Sequence, residues 1–201
     1  MTIGTIILAA GSSSRLGQPK QLLVHEGQTL VRRIADMALA LRKGPVTVVL
    51  GANRHAVADE LESLPVTLID NPRHEEGLSS SLKMGLAGLF MTQNKLDAVL
   101  VLLTDQPYVS LGLLLNLVET FQEGEKGIVA CRYGAEGPLG VPALFAISYV
   151  DELLGLTGDK GARWVIVKHR ADCAQILFEA GLIDLDSPQD LERFYGGKTL
   201  Q

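Results

Sequence analysis

The sequence predicts an α/β fold with a mostly parallel sheet, and three features point to it. Short apolar runs alternate with amphipathic stretches, the pattern of βα units. The runs are dense in Val, Ile and Leu, as strands buried on both faces require. The first run also leads directly into a Gly/Ser-rich loop carrying an Arg and a Lys. Open α/β sheets bind their ligands at that place, the carboxyl end of a strand.

Strands are expected at 5–9, 46–50, 66–69 and 98–103. Between the first two, Leu30, Ile34, Met37, Ala38 and Leu41 recur at helical spacing, with Arg32, Arg33 and Asp36 facing outward. Further helices are expected over 54–63, 79–91 and 110–122. After Gly127 the regularity loosens. Residues 128–131 and 141–145 read as strands separated by a turn-rich stretch over 133–138, an antiparallel excursion expected to wall an acceptor site. A helix over 160–169, a strand over 175–178 and a closing helix over 188–194 capped by Ser187 complete the order. No repeat or low-complexity segment interrupts residues 1–201, so a single domain is expected.

Composition narrows the function. A chain of 201 residues with 47% hydrophobic and 20% charged residues can bury its own core. Its net charge of −5, without a basic run, argues against a nucleic-acid partner and makes any phosphate recognition local. No apolar run reaches the roughly 18 residues of a membrane span, and Met1 leads into the first strand without a basic leader, so a cytoplasmic location is expected. Cys131 and Cys173 lack metal-ligand spacing and are expected as buried free thiols. His25, His55 and His169 show no ligand spacing and are expected at the surface or at helix ends.

The chemistry concentrates in the loop after the first strand. Gly11, Ser12, Ser13 and Ser14 let backbone N–H groups approach an anion, and Arg15 and Lys20 supply positive charge. The loop is neither a P-loop nor a dinucleotide fingerprint, since Gly17 is followed by Gln18, Pro19 and Lys20 and no Gly-x-Gly-x-x-Gly occurs. Asp105 follows the apolar run 98–103 and so lies at the carboxyl edge of a central strand. Pro107 holds Gln106 extended there, and a carboxylate at that edge can bind a hard cation. Gly77 allows close backbone approach, and Ser79, Ser80 and Ser81 begin a helix whose first N–H groups are free. The serines serve either a ligand or simply a cap.

Residue for residue, the loop resembles the signature of nucleoside-triphosphate-dependent nucleotidyltransferases, Leu-Ala-Ala/Gly-Gly-x-Ser-x-Arg-x-Gly-x-x-Lys. Leu8, Ala9, Ala10, Gly11, Ser13, Arg15, Gly17 and Lys20 fill every fixed position. The resemblance implies a Rossmann-like three-layer α/β/α sandwich of the nucleotide-diphospho-sugar transferase type and a divalent metal, Mg²⁺ or Mn²⁺. It implies that Asp105 ligates the metal, and that residues 77–81 contact the base and ribose. The stretch from Gly181 to Leu191 resembles the family's closing acidic motif, which makes Asp186 the favoured second ligand and Asp184 the lesser one. Asp190 suits the first turn of the last helix. Ser187 replaces the family's usual Thr, and His74 stands where Trp is frequent.

Two further stretches, Gly140 to Phe145 and Gly158 to Arg163, look like motifs of the molybdenum cofactor cytidylyltransferases. By that resemblance Gly140, Pro142, Lys160 and Arg163 bind the acceptor. Residues 158–163 form either an N–H nest or a helix start with Asp159 as cap. The implied reaction transfers CMP from CTP to the terminal phosphate of molybdopterin cofactor, with a molybdenum hydroxylase as recipient of the product. Ala10, where guanine-using relatives carry Gly, implies a pyrimidine. Two alternatives stand beside it: transfer to a sugar phosphate or another phosphorylated metabolite, and a non-catalytic carrier or chaperone of the cofactor.

Overall fold

The computed structural model describes residues 1–14, 16–183, 185 and 188–196. Its sheet comprises β1 (Ile3–Ala9), β4 (Val46–Leu50), β5 (Thr67–Asp70), β6 (Ala98–Leu103), β7 (Ile128–Arg132), β8 (Leu139–Ala146) and β9 (Cys173–Leu177). A separate two-stranded hairpin joins β2 (Val24–His25) and β3 (Gln28–Thr29). The strand order is β5-β4-β1-β6-β8-β7-β9. All neighbours pair in parallel except β8, which is antiparallel to both β6 and β7. The excursion expected after Gly127 is therefore a single reversed strand, and β9 restores the common direction.

The helices are α1 (Leu30–Ala40), α2 (Arg54–Leu61), α3 (Leu78–Thr92), α4 (Leu111–Glu123), α5 (Val150–Leu154), α6 (Arg163–Lys168) and α7 (Pro188–Gly196). Thr29 caps α1 through its hydroxyl, which accepts from Arg32 N–H, and Ser110 caps α4 by accepting from Leu113 N–H. Period-two alternation splits the sheet side chains between two cores. Ile7, Val48, Leu100 and Leu102 pack under Val31 and Ile34 of α1, Leu61 of α2 and Leu114 and Leu117 of α4. Ile6, Val49, Val99 and Val101 pack under Leu82 and Leu86 of α3, Leu153 of α5 and Ile166 of α6. The result is the three-layer sandwich, helices on both faces of one sheet.

Topology fixes where a ligand belongs. From β1 the chain moves outward through β4 to β5, then crosses back to place β6 on the other side of β1. The order reverses between β1 and β6, and such a switch point opens a crevice at the carboxyl ends of the two strands. Leu8 is in register with Leu103 across that pair, so the signature loop and Asp105 leave the sheet side by side.

Three expectations need correction. β5 is an edge strand with alternate residues exposed, because only β4 pairs with it, so it is not buried on both faces. The helix expected over 160–169 is confined to α6, since Gly158 has positive φ and residues 158–162 form a loop. His25 is 5% exposed rather than at the surface, held between the rings of Tyr108 and Phe194. His55 and His169 do lie at helix ends, and both cysteines are buried and free. No described helix is long and apolar enough to cross a membrane.

Candidate active site

A cavity of about 300 Å³ opens at the switch point. Leu8, Ala10, Gly11, Ser12, Ser13, Ser14 and Lys20 line it from the signature loop, and Leu103, Thr104 and Asp105 from the end of β6. Lys20 Nζ lies 3.5 Å from Asp105 Oδ2, both side chains partly buried. A cation and a carboxylate thus stand together in the wall of a cavity whose loop side is made of Ala10, Gly11 and three serines.

The loop is held open by its own polar groups. Lys20 N–H donates to Ser13 Oγ at 3.0 Å, and Ser13 has φ +53°. Gln21 is 2% exposed, and its Nε2 donates at 2.8 Å to both Ala9 O and Gly11 O. That amide straps the loop to the end of β1. Sequence reasoning missed it because nothing in Lys-Gln-Leu-Leu marks Gln21 as buried. Ala10 packs closely on Gly51, where a Cβ would come within 2.3 Å of Ala10 O. No side chain fits at position 51, so the wall beside Ala10 is fixed.

The segment after β5 meets the cavity differently from expectation. Gly77 has φ +101°, and a Cβ there would lie 2.5 Å from Asp159 Oδ1 and 2.6 Å from Gly158, so the close approach it allows is to the chain itself. The N–H groups of the serine run are engaged: Ser79 donates to Gly158 O at 3.1 Å and Ser80 to Gly77 O at 3.2 Å. Asn71 Nδ2 donates to the hydroxyls of Ser80 and Ser81. Of the three serines, only Ser81 lines the cavity, together with Leu78.

A second cavity, about 350 Å³, adjoins the first and shares Leu8, Leu78, Leu103 and Asp105 with it. Gln106, Tyr133, Gly140, Val141, Gly161 and Arg163 contribute to its wall. Gln106 Nε2 donates to Tyr133 Oη at 3.0 Å and to Val141 O at 2.9 Å, and the Tyr133 hydroxyl also donates to Val141 O. Burial pushes the Tyr133 phenol up to about 12, so it stays a donor at neutral pH. Gln106 and Tyr133 were missed as site residues, Gln106 having been read only as a turn residue. Of the four expected acceptor contacts, Gly140 and Arg163 line this cavity. Pro142 and Lys160 do not, and Lys160 Nζ instead sits 4.7 Å over the Trp164 ring.

Arg15, Asp184, Asp186 and the Ser187 cap lie outside the described residues. Asp190 lies in the first turn of α7, as the helix dipole favours. Among the described residues no group of three or more His, Cys, Asp or Glu side chains could hold a metal.

The reversed strand order, the loop after β1 and the carboxylate after β6 define the nucleotide-diphospho-sugar transferase class of α/β fold. The profile of the MobA-like NTP transferase domain matches residues 5–173, and the chain belongs to that family. Over 120 residues it is 36% identical to the nicotine blue oxidoreductase of Paenarthrobacter nicotinovorans, covering 59% of this chain and 57% of that protein. Over 122 residues it is 30% identical to the bifunctional protein GlmU of Francisella philomiragia, covering 60% of this chain and 26% of that one. The chain therefore spans little more than half of the first relative and about a quarter of the second. Among solved structures, Rv0371c of Mycobacterium tuberculosis superposes with TM-score 0.83 at 27% identity over 98% of both chains. The same protein in complex with manganese gives 0.78 at 26% identity, over 96% of this chain and 97% of that one. Molybdopterin-guanine dinucleotide biosynthesis protein A of Archaeoglobus fulgidus shares the fold, with TM-score 0.63 at 16% identity over 94% and 95%.

Proposed function

We propose that this protein is a metal-assisted nucleotidyltransferase that passes CMP from CTP to the terminal phosphate of molybdopterin cofactor, releasing pyrophosphate. The observation that carries the proposal is the position of Asp105. It pairs with Lys20 in the wall of one cavity and also borders the second, so a donor and an acceptor can meet beside one carboxylate. Membership in the MobA-like family supports the reaction class, and the two family-like stretches around Gly140 and Gly158 support the acceptor.

An acceptor phosphate oxygen forms a bond to the α-phosphorus of the triphosphate, and the bond from that phosphorus to the β-phosphate oxygen breaks. Pyrophosphate leaves with the electron pair. The nucleophile is already anionic, so no strong general base is required. The difficulty is bringing two polyanions into line. Lys20 and Arg15 neutralise the triphosphate and the leaving group, and the amides of residues 11–14 cradle its oxygens. Arg163 and the wall formed by Gln106, Tyr133 and Gly140 seat the acceptor.

The donor set fits a hard divalent cation. Mg²⁺ is commonly held by one or two carboxylates plus substrate phosphates rather than by an all-protein cage, and the described residues offer Asp105 without a larger acidic cluster. Asp105, with Asp186 as the proposed second ligand, would hold Mg²⁺ or Mn²⁺, and the cation supplies charge to the α-phosphate. The manganese complex of Rv0371c supports a metal of this kind.

Ala10, backed by Gly51, supports a pyrimidine over a purine. One methyl gives about 1–3 kcal/mol of selectivity, so hydrogen bonds must add the rest. Parallel assays with CTP, GTP and ATP, with molybdopterin cofactor as acceptor and pyrophosphate as readout, test this directly. Faster turnover with GTP overturns the base assignment. No pyrophosphate from any donor overturns the reaction and favours a carrier. The 36% identity to nicotine blue oxidoreductase favours a second reading, in which the same site serves an oxidation–reduction. Its signature is transfer of electrons from an added reductant to an added dye acceptor without pyrophosphate release.

A further inference from the structure

The segments bordering the nucleotide cavity meet again behind it, in an apolar cluster separate from the two that cover the sheet. Leu16 of the signature loop, Leu23 and Leu30 on either side of the β2–β3 hairpin, and Leu185 and Phe194 are buried together, with Leu191 packed against them. Three rings close the cluster. His25 lies 5.0 Å from Phe194 and 5.7 Å from Tyr108, and Tyr108 lies 6.0 Å from Phe194, centroid to centroid. The Tyr195 hydroxyl donates to Val24 O at 3.1 Å.

Each ring belongs to a different part of the chain. Tyr108 is three positions after Asp105, His25 is five after Lys20, and Phe194 is in α7. None of the three lines either cavity. They pack on one another, and the backbone on two sides of them carries the charged pair. Leu185, fully buried in the same cluster, is the residue between the two candidate acidic ligands.

We infer that this ring cluster is a positioning device for the triphosphate site, with Phe194 and His25 acting through the backbone to hold Lys20 and Asp105 at their working separation. α7 is thus a clasp on the two segments that carry Lys20 and Asp105. Small displacements of aligned groups cost large factors in rate and binding, so a cluster that never touches substrate can still control its use. The kinetic side of the inference rests on the proposed transferase function, whereas its structural side does not.

The test uses the full chain with Phe194→Ala, Phe194→Leu and His25→Phe. Hydrogen exchange is measured first without nucleotide. In Phe194→Ala, exchange in residues 12–20 and 104–109 is expected to rise about tenfold or more while β7 and β9 stay unchanged. In steady state with Mg²⁺ and CTP, the nucleotide KM is expected to rise roughly tenfold. His25→Phe, which keeps a ring at that place, is expected to stay within about twofold of the wild type on both measures. Unchanged exchange at 12–20 and 104–109 overturns the inference, and so does an unchanged nucleotide KM. If Phe194→Ala does not fold, Phe194→Leu decides by the same two measures. If the wild type turns over no nucleotide, the transferase reading fails and the exchange experiment still decides the clasp.

Discussion

Lys20 and Asp105, 85 positions apart, stand with Nζ 3.5 Å from Oδ2 at the switch point between β1 and β6. Neither end of that pair is set by local sequence. Each is delivered by the carboxyl end of its own strand, β1 for the lysine loop and β6 for the aspartate. Removing either charge should lower turnover by roughly 10²–10³. Lys20→Ala and Asp105→Asn are compared by pyrophosphate release, and the double variant should lose less than the product of the single losses because the two act as a unit.

Gln21→Leu removes both bonds from Nε2 to Ala9 O and Gly11 O while keeping side-chain volume near its original value. At about 0.5–1.5 kcal/mol each, the loss should be roughly 1–3 kcal/mol. Urea unfolding reads that loss, and a raised nucleotide KM reads the loosened loop. Stability equal to the wild type would show that the strap is not needed.

Gly77→Ala puts a methyl where φ is +101° and Asp159 Oδ1 is only 2.5 Å away. Backbone strain of this kind costs about 1–3 kcal/mol. The variant should unfold at lower urea, and its effect should reach the 158–163 loop, which hydrogen exchange can localise.

The Tyr149 hydroxyl donates to Asp172 Oδ2 at 2.6 Å, and Asp172 also accepts from Gly127 N–H. The bond to Asp172 pushes the phenol up to about 12 from 10, while the Tyr149 and Gly127 donors hold the Asp172 carboxyl below its usual range. A raised phenol pKa stabilises the fold below pH 10, and that stability is lost as pH rises toward about 12. A depressed carboxyl stabilises it above the ordinary Asp range, and that stability is lost as pH falls through the folded value. Tyr149→Phe should flatten both limbs of the stability–pH curve. Unchanged limbs would refute the coupling.

Burial pushes the Cys131 thiol up to about 12 and the Cys173 thiol up to about 11. Neither should react with iodoacetamide at pH 8 while the protein is folded, and both should react in urea. Mass spectrometry of the alkylated chain checks this.

Much of the sheet was legible because its strands are short Val/Ile/Leu runs, and 46–50 and 98–103 fold over the residues expected of them. The edge position of β5 was not legible, since pairing partners decide whether an apolar run is covered. That the signature loop and Asp105 come together at one cavity could be anticipated from residue type and place after a strand. Gln21, Gln106 and Tyr133 could not, because their roles depend on distant carbonyls, such as Val141 O for both Gln106 and Tyr133. His25 was misread for a related reason: a lone polar residue carries no sign of the rings that will enclose it.

By itself the sequence determined the fold class, the residue types of the loop and the family, because hydrophobic period and side-chain type are local properties of the chain. The tertiary structure alone decided that Lys20 faces Asp105, that two cavities share that aspartate, and that Tyr108, His25 and Phe194 meet behind them. Those relations join residues far apart in the chain, and only the packing of helices on a sheet with a reversed strand order brings them within a few ångströms.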